Sequence, residues 1–429
     1  MVKLVTRPAH LEVPGVRVVI DLRPLQEPER TPISADYLHH LLEAYADAPL
    51  ADESFVVICR TMRDDPSRPL EERGLPVRGR RHLPPTGRLL RSAGLTLDPF
   101  LLRGAEIGTL PASSEANGAV YHTAGGAVPL ASRLPVVATL LDLAPWELPD
   151  DYAASPAARF GHRLRARVLH DAARVIACSR ATADSARRRL HLPEERIAVV
   201  PLAVDEAYRA AAADVDRRRE LRARLALPER YLIFCGRYDA RKDLGTLWSA
   251  LHTLRDAGDG PDRGDDDVPG AAGAPFLVLA LQYAGDADRE ALQRAVERSG
   301  AADRVRVTPP LAAADRAALV GGAQAFVYPS LSEGTGLSVL EALSVGVPVI
   351  ASRAGAPPEF VGSAGIVVEP RDARRLAAAI AAIWSGGSVA EQVRRAAEAR
   401  SDGWNRTWHD VATETRAVYA AAAGVVPPV

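Results

Sequence analysis

Short apolar runs alternate with amphipathic stretches along most of this chain. In the first half the runs are Val16-Arg-Val-Val-Ile-Asp, Ser54-Phe-Val-Val-Ile-Cys, Ala119-Val-Tyr-His, Pro135-Val-Val-Ala-Thr-Leu, Val175-Ile-Ala-Cys and Ile197-Ala-Val-Val. They are short, rich in β-branched residues and apolar on successive positions, which predicts strands covered on both faces. Between them, 33–45, 158–173 and 181–190 carry apolar residues at helical spacing. A second series of strands is predicted over 231–235, 276–281, 305–307, 325–327, 347–351 and 365–368. Strands alternating with helices build parallel sheets, because a parallel neighbour is reached only through a crossover.

Two series predict two Rossmann-like halves, residues 1–205 and 206–403, joined near Pro201 to Tyr208. An arginine-rich entry helix is expected over 217–224, and a last amphipathic helix over 404–422 within the terminal segment 404–429. Residues 256–275 hold six aspartates with several glycines and prolines and no core pattern. They predict a mobile insertion loop.

Two strand ends in the second half carry chemistry. Tyr231-Leu-Ile-Phe-Cys-Gly-Arg-Tyr-Asp-Ala-Arg-Lys-Asp-Leu reads as a buried strand, a turn at Gly236, and a helix from about Asp243. Arg237 and Lys242 then follow the strand's carboxyl end, where open α/β sheets bind ligands. Arginine suits bidentate contact with phosphate, and lysine acts as a point charge. Only two of the 53 basic residues are lysines, Lys3 and Lys242, so a lysine at this position is not filler. The second strand end is Ala325-Phe-Val-Tyr-Pro, followed by the loop Glu333-Gly334-Thr335-Gly336 and a helix from about Leu337. Free N–H groups at such a helix start meet a phosphate readily. Glu333 supplies a carboxylate from the loop. Glu341 supplies another from the edge of an apolar helix, where an acid needs a partner.

The stretch E-G-T-G-L-S-V-L-E-A from Glu333 resembles the family-4 glycosyltransferases of the GT-B fold, whose motif reads E-G-F-G-L-P-x-L-E-A. Thr335 and Ser338 stand at the phenylalanine and proline positions. The continuation through Gly346-Val-Pro-Val-Ile-Ala-Ser and Pro358-Glu-Phe-Val is similar as well. The resemblance implies an α/β chain of GT-B architecture, two Rossmann-like domains facing across a cleft, with the last helix crossing back onto the first. It implies retaining transfer of a hexose from a nucleoside diphosphate sugar, GDP-mannose-like by its mannosyltransferase-like type. The acceptor would be a glycan, a lipid-linked molecule or a small molecule. Arg237 and Lys242 would neutralise the diphosphate with the N–H groups near Gly336 and Leu337. Glu333 would orient sugar hydroxyls, Glu341 would hold the ribose diol, and Gly236, Gly334 and Thr335 would line the donor site. No Asp-x-Asp cluster accompanies these motifs, so neither a metal nor a cofactor is expected.

Departures from the family lie in the first half. The turn after the first strand, Asp21 to Tyr37, has no glycine where many members have a glycine-rich turn. Leu141 stands where members commonly carry a histidine before Asp142, and leucine makes no hydrogen bond. His122 and Asp142 are the nearest replacements for the acceptor and sugar side. A non-catalytic nucleotide-sugar-binding subunit is the rival reading, and another GT-B activity such as an epimerase or phosphorylase is a third.

Composition narrows the class further. Apolar content of 47% and charged content of 25% are those of a globular protein, and a net charge of −1 gives no general attraction to nucleic acid. Cys59, Cys178 and Cys235 lie in apolar strand runs and read as core residues. Neither a signal peptide nor a run of about 20 apolar residues is present, which reads as cytoplasmic. Two basic stretches keep peripheral contact with the inner membrane face in view. Arg78, Arg80, Arg81, Arg88 and Arg91 crowd a predicted loop, and Arg159, Arg163, Arg165 and Arg167 share a helix with Phe160.

Overall fold

The computed structural model describes residues 14–83, 118–124, 132–258, 275–282 and 285–425, with the single positions 102 and 129. The chain divides into two compact units, residues 1–203 together with 407–429, and residues 204–406. Most of the acidic insertion, and Arg88 and Arg91, lie outside the described residues.

The first unit holds a seven-stranded parallel sheet: β1 (Arg17–Asp21), β2 (Ser54–Arg60), β3 (Val77–Leu83), β4 (Ala119–Ala124), β5 (Val136–Leu140), β6 (Arg174–Ala177) and β7 (Ile197–Val199). Their order is β3-β2-β1-β4-β5-β6-β7. The period-two alternation of strands divides the apolar residues between two cores. Val18, Ile20, Val120 and Val137 face one core, and Val19, Tyr121, Val136 and Ala138 the other. The first core is closed by helix Pro32–Asp47 and by the last helix, Trp408–Ala422.

That last helix starts later than expected, because Thr407 and Asp410 form a capping box and leave Trp404 outside. Its Arg416 makes a bidentate pair with Glu53, at 2.8 and 2.6 Å, with both side chains buried. Arg416 also donates to the Ala48 carbonyl at 2.8 Å and lies over the Tyr45 ring.

The segment expected to be a basic loop corrects to an edge strand in part. Residues 77–83 pair in parallel with β2 past an irregularity at Phe55/Val56. Arg80 is tied to Asp65 and Glu71, so its charge is compensated.

The second unit holds a six-stranded parallel sheet: β8 (Leu232–Gly236), β9 (Leu277–Leu281), β10 (Val305–Val307), β11 (Ala325–Tyr328), β12 (Val349–Ser352) and β13 (Gly365–Val368). Its order is β10-β9-β8-β11-β12-β13. Strand order reverses between β8 and β11, so the loops leaving these neighbours diverge and open a crevice at their carboxyl ends. Both motifs singled out in the sequence leave from these two strands. Among the described residues no single helix is long and apolar enough to cross a membrane.

Candidate active site

From β8 the chain passes Gly236 and Arg237 into a 3-10 turn, Ala240–Lys242. Asp239 caps that turn by accepting from the Arg241 N–H at 3.1 Å, and its other oxygen takes the Arg241 Nε at 3.3 Å. Asp243 adopts a left-handed conformation and starts helix Leu244–Gly258 through Thr246, whose hydroxyl donates to it at 2.6 Å. This local geometry turns Lys242 inwards. The lysine is 2% exposed, far from the free loop cation its position suggested. Arg237 is half-buried and makes neither a hydrogen bond nor an ion pair with any described residue.

From β11 the chain passes Pro329 into a buried loop ending at Gly336, whose φ of +60° caps helix Leu337–Ser344. The Leu340 N–H makes the first intrahelical bond, to the Gly336 carbonyl at 2.9 Å, so the N–H groups of Leu337, Ser338 and Val339 precede the ladder. The loop is braced from the turn after β8 and from the segment after β12. Leu331 donates its N–H to the Arg241 carbonyl at 2.6 Å, and Ala356 donates to the Glu333 carbonyl at 2.8 Å. Gly355, at φ +72°, lies so close that a Cβ there would stand 2.0 Å from that carbonyl. No other residue fits this approach.

The two loops meet in a buried triad. Lys242 Nζ donates to Glu333 Oε2 at 2.7 Å, and Tyr328 donates to the same oxygen at 3.0 Å. Lys242 also donates to the Tyr328 hydroxyl. Burial alone would raise the Glu333 carboxyl. Lys242, then Arg241, then the two hydrogen bonds outweigh it and hold the group ionised below the usual carboxylate range. Glu333 Oε1 has no hydrogen bond to any described residue.

Glu341 is half-buried on the second turn of its helix. Its charge reaches Tyr208 and Cys235: burial first, then Glu341, pushes the Tyr208 phenol well up. Burial pushes the Cys235 thiol up to about 12, with Glu341 adding to it and Arg316 opposing. Gly236, Gly334, Thr335 and Gly336 are all buried in this region, and Leu337 is half-buried. All the residues expected on the donor side lie in the second unit, and of these the structure brings Lys242 and Glu333 into direct contact. Sequence reasoning missed Asp239, Arg241, Tyr328 and Gly355. The one available signal was Asp239, two residues before Arg241, a spacing that favours an Asx turn.

In the first unit the expectations fare differently. His122 corrects from a cleft residue to a core residue: it is fully buried, with Nδ1 bonded to the Tyr419 hydroxyl at 2.8 Å and Nε2 to Thr139 Oγ1 at 2.9 Å. The physical reason is strand parity. His122 shares a face of β4 with Val120 and Ala124, and that face is covered by the last helix. Burial holds its imidazole down to about 3. Leu141 packs in the same core, while Asp142 is half-buried and accepts from the Ala144 N–H at 3.2 Å. In place of a glycine turn after β1, Asp21 takes the Arg23 N–H at 3.1 Å, its Nε at 2.9 Å and its Nη2 at 2.8 Å. Gln26 then bonds the backbone of Arg60 and Asp64, so the turn is wired to β2.

Comparison with known proteins agrees in both halves. Residues 229–385 match the model of glycosyl transferases group 1, and residues 35–208 that of glycosyltransferase family 4. A D-inositol 3-phosphate glycosyltransferase of Streptomyces scabiei is 31% identical over 300 residues, 69% of this chain and 63% of that protein. The chain thus spans less than two thirds of that relative. An O-antigen chain mannosyltransferase B of Escherichia coli is 32% identical over 150 residues, 35% of each chain. The crystal structure of a sucrose-phosphate synthase from Thermosynechococcus elongatus superposes with a TM-score of 0.67 at 19% identity. It covers 94% of this chain and 98% of its own.

Proposed function

Because the chain belongs to the family-4 glycosyltransferases and has the GT-B fold, we propose that it transfers a hexose from a nucleoside diphosphate sugar, with retention of configuration. The observation that carries this reading is the arrangement at the β8/β11 switch point. Arg237, the buried Lys242–Glu333 pair and a helix start led by Gly336 all follow the carboxyl ends of β8 and β11. Charge develops on the leaving diphosphate as the sugar departs. Fixed cations and helix N–H groups lower that barrier without reorganising. Arg237 and Lys242 would bear the diphosphate, Glu333 Oε1 would accept from sugar hydroxyls, and Glu341 would hold the ribose diol. No metal or cofactor is needed for that division of labour.

A mannose-bearing donor and a glycan acceptor are supported by the name of the Escherichia coli relative, and a phosphorylated cyclitol acceptor by that of the Streptomyces relative. Peripheral contact with the inner membrane face is supported by helix Pro156–His170, which exposes Phe160 beside Arg159, Arg163 and Arg167. Leu141 favours one rival, a nucleotide-sugar-binding subunit without transfer activity, because neither it nor the buried His122 presents an imidazole to a ligand.

Titration with uridine and guanosine diphosphates, beside hydrolysis of the matching sugar donors, tests both readings. Binding that falls roughly ten- to hundredfold in Arg237→Ala and Lys242→Ala supports the diphosphate site. Unchanged affinity in both variants refutes it. Binding without any hydrolysis favours the binding subunit.

A further inference from the structure

We infer that Tyr328 is a positioning residue of the donor site, holding Lys242 and Glu333 in a fixed mutual geometry from the end of β11. The inference rests on the functional reading above and deepens it. A lysine and a glutamate facing each other alone are free to close on one another, with the ammonium swinging between both carboxylate oxygens. The Tyr328 hydroxyl prevents that by bonding both groups at once. Its sense is fixed by chemistry: an ammonium only donates, so the hydroxyl lone pair takes Lys242 and its proton goes to Glu333 Oε2. Nζ, the hydroxyl and Oε2 form a closed three-point ring. The ring commits one carboxylate oxygen and leaves Oε1 and one ammonium N–H uncommitted to any described residue.

The tyrosine can impose this geometry because its ring is packed and buried. It stacks on Phe234 of β8, at 5.9 Å and 21°, and on Phe326 of its own strand, at 5.5 Å and 29°, with Lys242 Nζ over it at 4.4 Å from the centroid. Burial also keeps the phenol protonated by pushing it well up, so the donor to Glu333 is never lost. A purely structural role is the weaker account. Taking an ion pair out of water costs more than apolar residues of the same volume would. Here the pair is buried at the carboxyl ends of the two strands that flank the switch point.

Tyr328→Phe removes only the hydroxyl and keeps the stacked ring. Relative to wild type, affinity for uridine or guanosine diphosphate, whichever the wild type binds, should fall about tenfold or more. Melting temperature should stay nearly unchanged. Where hydrolysis of the sugar donor is measurable, the acid limb of kcat/KM should move to higher pH, because the carboxylate has lost a donor to its charged form. Added to Glu333→Gln, the same substitution should cost little more, since its effect runs through that carboxylate. Wild-type affinity and an unmoved acid limb in Tyr328→Phe would overturn the inference, as would fully additive losses in the double variant. Arg237→Ala separates the two levels. If it loses affinity while Tyr328→Phe does not, the diphosphate site stands and the inference falls. If the wild type binds neither diphosphate, both fall.

Discussion

Acidification should weaken the N-terminal unit through His122. The imidazole is held down to about 3 by burial, against an ordinary 6.5, so the folded unit stays unprotonated where the unfolded chain takes up a proton. A base with a depressed folded pKa contributes its full share of stability above the unfolded value. It loses that share as pH falls from about 6.5 towards about 3. With these two values the loss between about pH 7.5 and about pH 5 is about 2 kcal/mol. For a unit of 150–250 residues that is roughly 4–8 °C of melting temperature. Calorimetry of the wild type and His122→Gln across this range isolates the effect. The amide offers a donor and an acceptor to Tyr419 and Thr139 but does not titrate, and all other groups are shared. The wild type should lose stability more steeply than the variant. Parallel pH dependences would refute the argument. Diphosphate binding near neutral pH should be the same in both proteins, and a tenfold loss at unchanged melting temperature would return His122 to the ligand site.

Glu341→Gln should weaken the ribose contact selectively. A 2′,3′-dideoxy nucleotide should lose affinity relative to its ribose parent in the wild type but not in the variant, and equal losses would make Glu341 an ordinary helix acid. Excess chelator should leave donor hydrolysis unchanged, because Arg237, Lys242 and the helix start carry the charge assigned elsewhere to a divalent ion; rescue by magnesium or manganese after chelation would contradict this. Arg416→Met should cost about 3–5 kcal/mol by leaving Glu53 buried without its partner. Arg416→Met with Glu53→Gln should recover much of that loss, as measured by denaturant unfolding.

The sequence made the second unit legible because its motif-bearing strands are uninterrupted apolar blocks with a glycine or a proline at their ends. Runs such as Leu232–Gly236 and Ala325–Tyr328 stand out as apolar blocks, and the polar residues just beyond them are then set by strand ends. What it hid were depth and face. Val77–Leu83 is an edge strand paired on one side, and its charged residues match the protection that edges need, so it reads as a loop. His122 carries a signal that a lone residue type obscures: its parity with Val120 and Ala124 already assigns it to a core face. Tyr328 looks like one more apolar strand residue, since nothing in the local pattern tells that its hydroxyl meets Lys242, 86 positions earlier. Lys242 draws attention through its rarity, but its burial depends on the left-handed Asp243 and the cap from Asp239.

The closure of the first unit by the last helix inverts the order of completion during synthesis. The groove over Tyr37, Tyr45 and His122 is made early on the ribosome, yet Trp408, Val411, Val418 and Tyr419, which cover it, arrive only after residues 204–406 have been translated. At ordinary elongation rates that delay is roughly 10–40 s. In that interval the second unit has all of its strands and is free to finish, while the first carries an open apolar seam and an unpaired Glu53. A nascent chain stalled before Trp408 is therefore a half-closed sheet, the kind of surface that chaperones hold and that neighbouring polysomal chains would otherwise share.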